Sequence, residues 1–276
     1  MTTVVFGPGY LGRRLAASLP DAVLSDANVT DAAAVRAAMK AHNATAAVNA
    51  AGKTGRPNVD WCETHQRETW KANVVGPLVL ADVCADLGAY LLHIGSGCVF
   101  YGPSPAPGGW RETDHANPLS YYSKSKYAAD LVLSSVPDVG VARIRMPLDE
   151  TPDPRNLITK LSGYRFVIDV ENSVTVVEDF LHVAKELVAR RAQGVFHVTN
   201  PGVMRHRDLL DAYRRHVDPS HAAEFIPAEE LTARGLASAV RSNCVLASDR
   251  LAALGVSMRP IADVLDGLVA EYARRR

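Results

Sequence analysis

The sequence lacks a net charge. Its 276 residues include 30 Lys and Arg and 30 Asp and Glu, so the formal net charge is zero. A protein that binds nucleic acid usually presents a strongly basic face. The charge balance therefore argues against nucleic acid as a partner.

The sequence also lacks long apolar runs and paired cysteines. No apolar run is long enough to span a bilayer, and no charged segment precedes residues 3–6, which favours a strand over a signal peptide. The four cysteines show no Cys-x-x-Cys spacing and the nine histidines are scattered, so no metal site is predicted. We expect a reduced, cytoplasmic protein with no membrane partner.

Short apolar strands alternate with helical segments through the first half of the chain. This alternation predicts an α/β fold with a doubly wound parallel Rossmann sheet and a small C-terminal substrate lobe. The predicted strands are 3–6, 22–24, 46–49, 89–94 and 141–144, and the predicted helices are 10–19, 31–42, 68–87 and 119–136.

The pattern breaks after residue 146, where Pro147, Pro152 and Pro154 lie close together. We predict a first domain of residues 1–146 and a lobe of residues 147–276. A helix over 177–191 and a strand over 194–198 indicate that residues 177–198 return to the first domain. Further helices are predicted over 209–216 and 261–273.

A glycine-rich loop follows the first strand directly. Gly7, Gly9 and Gly12 form a G-x-G-x-x-G pattern between a strand and a helix, which is the context that a dinucleotide-binding loop needs. Glycine permits the tight turn, the approach of the pyrophosphate and close helix packing, and the helix N-terminus faces the phosphates. We therefore predict that residues 1–146 bind NAD(P).

The sequence leaves open whether the cofactor is NADPH or NADH. Asp26 follows the second strand and is placed to accept a ribose 2′-hydroxyl, which favours NAD. Arg13 and Arg14 follow the last glycine and could reach a 2′-phosphate, although two solvated helix arginines are an equally good interpretation. We expect Asn28 and Val29 to lie beside the adenine.

A Tyr-x-x-x-Lys pair lies on the helix predicted over 119–136. Tyr122 and Lys126 are one helical turn apart on one face, and Ser96 follows the strand that ends at residue 94. The pattern predicts that an ammonium lowers the pKa of the phenol, which protonates a carbonyl oxygen as hydride arrives. Tyr121 lacks a lysine partner because residue 125 is Ser.

These features resemble the extended short-chain dehydrogenase/reductase family. Asn49-Ala50-Ala51-Gly52 after a strand and Asn73 on the next helix also fit that family. The resemblance implies that Ser96, Tyr122 and Lys126 are catalytic. It also implies cofactor contacts from Tyr10, Leu11, Ala50, Ala51, Gly52, Asn73, Tyr122, Lys126 and Met146.

Longer runs resemble the plant-type nucleotide-rhamnose synthases, and less closely the dTDP-4-dehydrorhamnose reductases. The matching runs are 49–63, 97–100, 122–126, 145–147, 154–160, 199–202 and 241–243. Residues 7–12 and 103–117 are less similar, and Ser96 stands where those synthases usually have Thr. The resemblance implies a 3,5-epimerase/4-reductase that converts UDP- or dTDP-linked 4-keto-6-deoxyglucose to nucleotide-L-rhamnose.

The same resemblance implies that Cys98 and Lys160 carry protons in the epimerisation. Without it, an inert core cysteine and a solvated helix lysine would be the simpler interpretations. Thr54, Cys98, Asn156, Lys160 and Arg241 are the implied substrate-binding residues, with Arg155 as a further candidate for the diphosphate.

Two other functions remain open at this stage. One is a 4-ketoreductase without epimerase activity, and the other is a non-catalytic NAD(P)-sensing protein. Gly97 and Cys98 stand where dehydratases of this superfamily carry acidic residues, so we expect a separate 4,6-dehydratase to supply the substrate. The helices over 68–87 and 119–136 suggest the helical homodimer interface of that family.

Overall fold

The structure is a computed structural model, and it describes residues 2–276. The strands are β1 Thr3–Phe6, β2 Ala22–Ser25, β3 Ala46–Asn49, β4 Tyr90–Ser96, β5 Val139–Ile144, β6 Pro147–Leu148, β7 Phe166–Ile168, β8 Glu171–Asn172, β9 Thr175–Val176, β10 Gly194–His197, β11 Met204–Arg205 and β12 Glu224–Ile226. The α-helices are α1 Tyr10–Ser18, α2 Ala32–Ala41, α3 Trp61–Thr64, α4 Gln66–Trp70, α5 Gly76–Asp86, α6 Tyr121–Leu133, α7 Leu157–Ser162, α8 Val177–Ala189, α9 His206–His216, α10 Glu230–Ala233, α11 Asp249–Ala253 and α12 Ile261–Arg274.

Six parallel strands form the central sheet in the order β10-β5-β4-β3-β1-β2. The winding direction reverses between β1 and β3, and ligands of open α/β sheets bind at the carboxyl ends of the strands beside such a point. Phe6 at the end of β1 is in register with Asn49 at the end of β3. The glycine loop and residues 50–52 therefore lie side by side.

Helices cover both faces of the sheet, which confirms the doubly wound α/β prediction. Successive residues of β1 point to opposite faces, so Val5 packs in one core and Val4 and Phe6 in the other. The first core includes Leu15 of α1 and side chains of α8, and the second includes side chains of α2, α5 and α6.

The predicted helix over 68–87 is divided by a π-helical turn, Lys71–Val75, between α4 and α5. Pro77 has no N–H to donate to the carbonyl of Asn73 four residues earlier, and the N–H of Gly76 bonds the carbonyl of Lys71 instead. The wider turn buries Asn73. Asp31 caps the N-terminus of α2, because its carboxylate accepts from the N–H groups of Ala33 and Ala34.

A third core lies in the C-terminal part of the chain. It joins α7, α9 and α12 with three two-stranded pairings, β6–β9, β7–β12 and β8–β11. The chain between these elements supplies α8 and β10 to the central sheet and its cover. The division at residue 146, with 177–198 assigned to the first domain, stays a prediction of domain boundaries.

Within residues 2–276, no helix is both long and apolar enough to cross a membrane. The same residues contain no group of three or more His, Cys, Asp or Glu side chains arranged to hold a metal ion.

Candidate active site

The glycine loop has the backbone that its sequence requires. Gly7 has φ +96°, and a Cβ there would lie 2.5 Å from the amide nitrogen of Ala51. A Cβ on Gly12 would lie 1.9 Å from the carbonyl oxygen of Gly7. Gly9, in contrast, has nothing within 4 Å of its Cβ position and caps α1 without a side chain. Open space at Gly9 beside the α1 N-terminus fits a pyrophosphate.

The residues predicted to lie near the adenosine differ in their exposure and in whether they already have an ion-pair partner. Asp26 and Asn28 are exposed, whereas Val29 is buried against Gly76. Arg14 pairs with the buried carboxylate of Asp149 at 3.1 Å. Arg13 is exposed and has no ion-pair partner among residues 2–276, so it is the arginine available to a 2′-phosphate.

Two residues that were predicted to contact the cofactor, Tyr10 and Asn73, have side chains that form hydrogen bonds with other groups of the protein. The Tyr10 hydroxyl donates to Asp149 at 2.8 Å, and burial together with that carboxylate raises the pKa of the phenol. Asn73 accepts from the Lys53 N–H at 2.7 Å and donates to the Ser125 hydroxyl at 3.0 Å. Asn73 thereby fastens the loop that contains Ala50, Ala51 and Gly52 to α6.

Ser96, Tyr122 and Lys126 converge at the carboxyl end of β4. Ser96 is the last residue of β4, and α6, capped by Ser120, carries Tyr122 and Lys126. The Ser96 hydroxyl is close enough to the Tyr122 phenol to lower its pKa. The structure therefore brings together the three residues that the sequence motif predicts for carbonyl reduction.

The sequence motif predicts a lowered pKa for Tyr122, and this prediction is wrong: the pKa of the phenol is raised. Burial raises the pKa of this phenol, the charge at Cys98 adds to the effect, and only the Ser96 hydrogen bond opposes it strongly. The Lys126 amine lies 2.9 Å from the Ile94 carbonyl oxygen and 3.0 Å from Nε2 of His93. Lys126 therefore interacts with β4, and Tyr122 is a full proton donor.

Cys98 lies on a single 3₁₀ turn, Gly97–Val99, directly after Ser96. It is the one partly exposed cysteine of the four, all of which are free. Its Sγ lies 3.2 Å from Nη1 of Arg145, whose side chain is 1% exposed. The other partners of this guanidinium are neutral groups of Asn172 and Ser242. The Cys98 sulfur is therefore held beside a buried guanidinium that has no carboxylate among these partners.

Lys160 approaches the same space from α7. Burial and the neighbouring Arg155 lower the pKa of Lys160, whereas Asp153 and Cys98 act in the opposite direction. The Cys98 effect places the thiol within electrostatic range of the amine. Met146, next to Arg145, has φ +42°, a conformation that few non-glycine residues adopt and that is common near active sites.

The two arginines that were expected to bind the substrate, Arg155 and Arg241, both have partners within the protein. Arg155 donates to the Thr54 hydroxyl and to the Gly55 carbonyl, so it joins the lobe to the loop after β3. Arg241 forms a bidentate pair with Asp60, both distances being 2.7 Å, and stays partly exposed.

Asn156 requires a correction. Its side chain is fully buried, accepts from the Ile158 N–H at the start of α7, and donates to the carbonyls of Asp149 and Thr151. Because its amide is used by the backbone, Asn156 positions α7 and the loop before it. Direct binding of the diphosphate by this side chain is not supported.

The motifs in the sequence predicted no role for His93, although its position in an apolar strand could have indicated one. A single histidine interrupts the apolar run Tyr90-Leu91-Leu92-His93-Ile94 of a buried strand, where an ionisable group needs a partner. In the structure it lies between Asn49 and Lys126, at 3.0 Å from each.

The sequence of residues 1–270 matches the family model described as the RmlD substrate binding domain. The chain belongs to this family. A bifunctional dTDP-4-dehydrorhamnose 3,5-epimerase/dTDP-4-dehydrorhamnose reductase of Arabidopsis thaliana is 41% identical over 188 residues, which are 66% of this chain and 62% of that protein. A trifunctional dehydratase/epimerase/reductase of the same plant is 38% identical over 72% of this chain and 31% of its own length. The alignments thus span less than two thirds of these relatives.

Solved structures of related proteins share the fold of this RmlD-family chain. The L780 UDP-rhamnose synthase of Acanthamoeba polyphaga mimivirus is similar over 98% of this chain and 99% of its own, with a TM-score of 0.91 and 28% identity. A dTDP-4-dehydrorhamnose reductase from Bacillus anthracis, solved in complex with NADP, has a TM-score of 0.83 at 19% identity and covers 98% of this chain and 100% of its own.

Proposed function

We propose that this chain is a bifunctional 3,5-epimerase/4-reductase that converts UDP- or dTDP-linked 4-keto-6-deoxyglucose to nucleotide-L-rhamnose. The observation that carries the proposal is the position of Cys98. Its partly exposed sulfur lies beside a buried guanidinium, and it is close enough to Tyr122 and to Lys160 to affect the pKa of both. A thiol and an amine that approach the same space supply the two proton carriers that epimerisation needs.

NADPH or NADH fits the glycine loop. The open space at Gly9 and the α1 N-terminus accommodate a pyrophosphate, and the exposed Arg13 favours the phosphorylated cofactor. When bound, the reduced nicotinamide supplies the hydride that is added to C4 of the sugar. The glycine loop, residues 50–52 and Ser96 lie at the carboxyl ends of β1, β3 and β4, which are neighbours at one edge of the parallel sheet.

Reduction needs one proton at the sugar O4. Tyr122, with a pKa raised by burial, keeps its proton at neutral pH and gives it to O4 as the C4 carbonyl becomes an alcohol. The Ser96 hydroxyl is placed to donate a hydrogen bond to the same oxygen. Lys126, one turn further along α6, is the third member of the proposed catalytic group with Ser96 and Tyr122.

Epimerisation needs proton removal and delivery at C3 and C5, whose hydrogens are acidified by the 4-keto group. In our proposal Cys98 and Lys160 lie on opposite faces of the sugar. One group takes the proton as the C–H electron pair forms an enolate on O4. The other returns a proton to the same carbon from the opposite face, so no net charge or redox change results. Arg145 holds the sulfur in place for this exchange.

The experiment follows both reactions on the same sample in deuterium oxide. UDP- and dTDP-linked 4-keto-6-deoxyglucose are each incubated with NADPH or NADH, cofactor oxidation is recorded, and the product is analysed by NMR. We expect deuterium at C3 and C5 and the L-rhamnose configuration. Cofactor oxidation without deuterium at either carbon would identify a 4-ketoreductase alone, and no oxidation with any substrate would favour a cofactor-sensing protein.

We also propose that the chain forms a homodimer through the face of α6. Leu131 and Val132 on this helix are 54% and 47% exposed, and Leu119 just before it is 48% exposed. Exposed large apolar side chains on one helix suit a protein interface. Sedimentation should show a dimer that Leu131→Glu converts to a monomer, whereas a wild-type monomer would exclude this interface.

A separate 4,6-dehydratase is the partner enzyme that we propose for the pathway. Gly97 and Cys98 provide no carboxylate after Ser96 for the elimination of water. With nucleotide-glucose as the substrate, the purified chain should give no 4-keto sugar until a dehydratase is added. The free cysteines agree with the cytoplasmic location that we propose for both enzymes.

A further inference from the structure

Asp149 is a buried carboxylate of the lobe that no sequence motif singled out. It follows β6, and its side chain is 1% exposed. The Tyr10 hydroxyl donates to one of its oxygens at 2.8 Å, and Nη2 of Arg14 lies 3.1 Å from the other. Tyr10 is the first residue of α1, directly after Gly9 of the glycine loop. A single side chain of the lobe thus binds the helix that begins at that loop.

The backbone of Asp149 is held by Asn156. The Asn156 amide donates to the Asp149 carbonyl at 2.6 Å, and its oxygen accepts the Asp149 N–H at 3.3 Å. The same oxygen accepts the N–H of Ile158 at 3.1 Å and so caps α7. Asn156 is 0% exposed, so water does not compete for these hydrogen bonds. Asp149 and the first turn of α7 therefore form one hydrogen-bonded unit.

The position of the Lys160 amine depends on this unit. The Lys160 N–H bonds the carbonyl of Asn156 at 3.1 Å, one turn earlier in the chain. Within residues 2–276 its amine forms no hydrogen bond or ion pair with another residue, so the helix alone carries it to the site. Ile158 and Leu161 attach α7 to the core of the lobe. That core does not fix the distance from α7 to the glycine loop.

Two links join the start of α7 to the first domain. Arg155 provides one, to the loop after β3, and Asp149 provides the other. We propose that Asp149 is a positioning residue that holds the Lys160 amine in the candidate site by tying α7 to Tyr10 beside the glycine loop. The part that Lys160 plays in proton exchange rests on the proposed function, whereas the tie itself does not.

The charges around Lys160 make the tie measurable. Burial and Arg155 lower the pKa of Lys160, whereas Asp153 and Cys98 act in the opposite direction. Release of α7 would expose the amine and raise its pKa toward that of an ordinary lysine. Loss of the Asp149 charge alone would lower the pKa, because a nearby carboxylate favours an ammonium. The direction of the change therefore distinguishes positioning from a direct charge effect.

The decisive measurement is the pKa of Lys160 in the ligand-free protein. In a sample labelled with ¹³C-lysine, the Cε signal of Lys160 is assigned by its loss in Lys160→Met and is followed against pH. For Asp149→Ala we expect a higher pKa than in the wild type. An unchanged or lower pKa overturns the proposal.

Tyr10→Phe tests the link to the glycine loop by removing one hydroxyl and no charge. The pKa of Lys160 should rise again, but by less than in Asp149→Ala, because Arg14 still binds the carboxylate. Adding Tyr10→Phe to Asp149→Ala should then change nothing further, since both act through one contact. This variant also serves if Asp149→Ala does not fold. An unchanged pKa in Tyr10→Phe, or a further rise in the double variant, would contradict the tie.

Two matched controls calibrate the result. Tyr164→Phe removes a hydroxyl from a tyrosine that is 43% exposed just after α7, and the pKa of Lys160 should stay at its wild-type value. Asp153→Asn removes a carboxylate that acts on Lys160, while its amide oxygen can still accept the Arg155 N–H. The pKa should then fall. A rise in Asp153→Asn as well as in Asp149→Ala would indicate a general loosening of the lobe and defeat the proposal.

Activity separates this inference from the proposed function. Deuterium exchange at C3 and C5 is compared with reduction of an already epimerised 4-keto sugar. In Asp149→Ala a misplaced amine should slow exchange by about tenfold or more, so the ratio of exchange to reduction should fall. A raised Lys160 pKa in a protein whose wild type exchanges no deuterium would leave the tie standing and defeat the epimerase assignment. An unchanged ratio in Asp149→Ala, with exchange present in the wild type, would defeat the positioning role alone.

Discussion

The two halves of the candidate site are built on different kinds of structure. Ser96, Tyr122 and Lys126 lie on a central strand and on the 13-residue helix α6. Cys98 and Lys160 lie on a single 3₁₀ turn and on the six-residue helix α7. The reduction half therefore depends on the core of the sheet, and the proton-exchange half depends on contacts between the lobe and one loop. Substitutions should be able to separate the two reactions.

The largest effect is expected for Tyr122→Phe. Loss of the proton donor should slow reduction by about 10²–10⁴-fold, measured as NADPH oxidation, while deuterium exchange at C3 and C5 continues. Tyr121→Phe is the matched control, since Tyr121 has no lysine one turn later, and it should reduce at nearly the wild-type rate. Near-normal reduction by Tyr122→Phe would remove it from the mechanism.

Cys98→Ser should have the opposite pattern. A serine hydroxyl is far less acidic than a thiol, so exchange at C3 and C5 should slow by about 10²-fold or more. Reduction of an already epimerised 4-keto sugar should persist. Lys160→Met should also impair exchange, and the exposed Lys124→Met serves as its control. If both variants at 98 and 160 exchange deuterium at the wild-type rate, the epimerase proposal fails.

Gly9→Val should affect the cofactor without affecting the fold. Its Cβ meets no atom of the protein within 4 Å, so the melting temperature should stay unchanged, but the side chain enters the pyrophosphate space. We expect calorimetry to show NADPH affinity reduced by at least about tenfold, equivalent to about 1.4 kcal/mol. Gly12→Val provides the contrast, because its Cβ would collide with the Gly7 carbonyl and lower stability. Unchanged NADPH binding by Gly9→Val would place the pyrophosphate elsewhere.

The smallest effect is expected for Arg155→Met, which removes the link from the lobe to Thr54. A net hydrogen bond of about 1 kcal/mol corresponds to about a fivefold rise in KM for the sugar nucleotide, with kcat nearly unchanged. Thr54→Val removes the contact with Thr54 but not the one with the Gly55 carbonyl, so the double variant should be little worse than Arg155→Met alone. Additive effects would show that the two residues act independently.

The sequence predicted the central sheet well because its strands are continuous apolar runs and its helices have clear ends. Asp31 is one example, since a side chain that caps its own helix needs no distant partner. The lobe was predicted less well. Its strands have two or three residues each, and pairings such as β8 with β11 join segments whose own residues give no strand signal.

For the site, motif spacing located the backbone positions but not the partners of each side chain. The family resemblance implied a substrate contact for Asn156, yet only the fold shows its amide turned into its own loop. The pKa of Tyr122 depends on its burial and on where the Lys126 amine binds, and a five-residue motif predicts neither. His93 and Arg145 obtain their roles from neighbours on other strands and loops.

The surroundings of Cys98 are completed by a segment far along the chain. Cys244 Sγ lies 3.5 Å from the Gly97 carbonyl, 147 residues away in sequence, and Asn243 accepts from the Gly102 N–H at 2.9 Å. Trp110 exchanges backbone hydrogen bonds of 2.8 Å with Val245 and Ala247. During synthesis the sheet, the glycine loop and α6 leave the ribosome well before this segment, and closing so long a loop carries an entropic cost. The surroundings of Cys98 are therefore complete only when residues 242–247 have returned to it, whereas Ser96, Tyr122 and Lys126 lie on elements that precede residue 134.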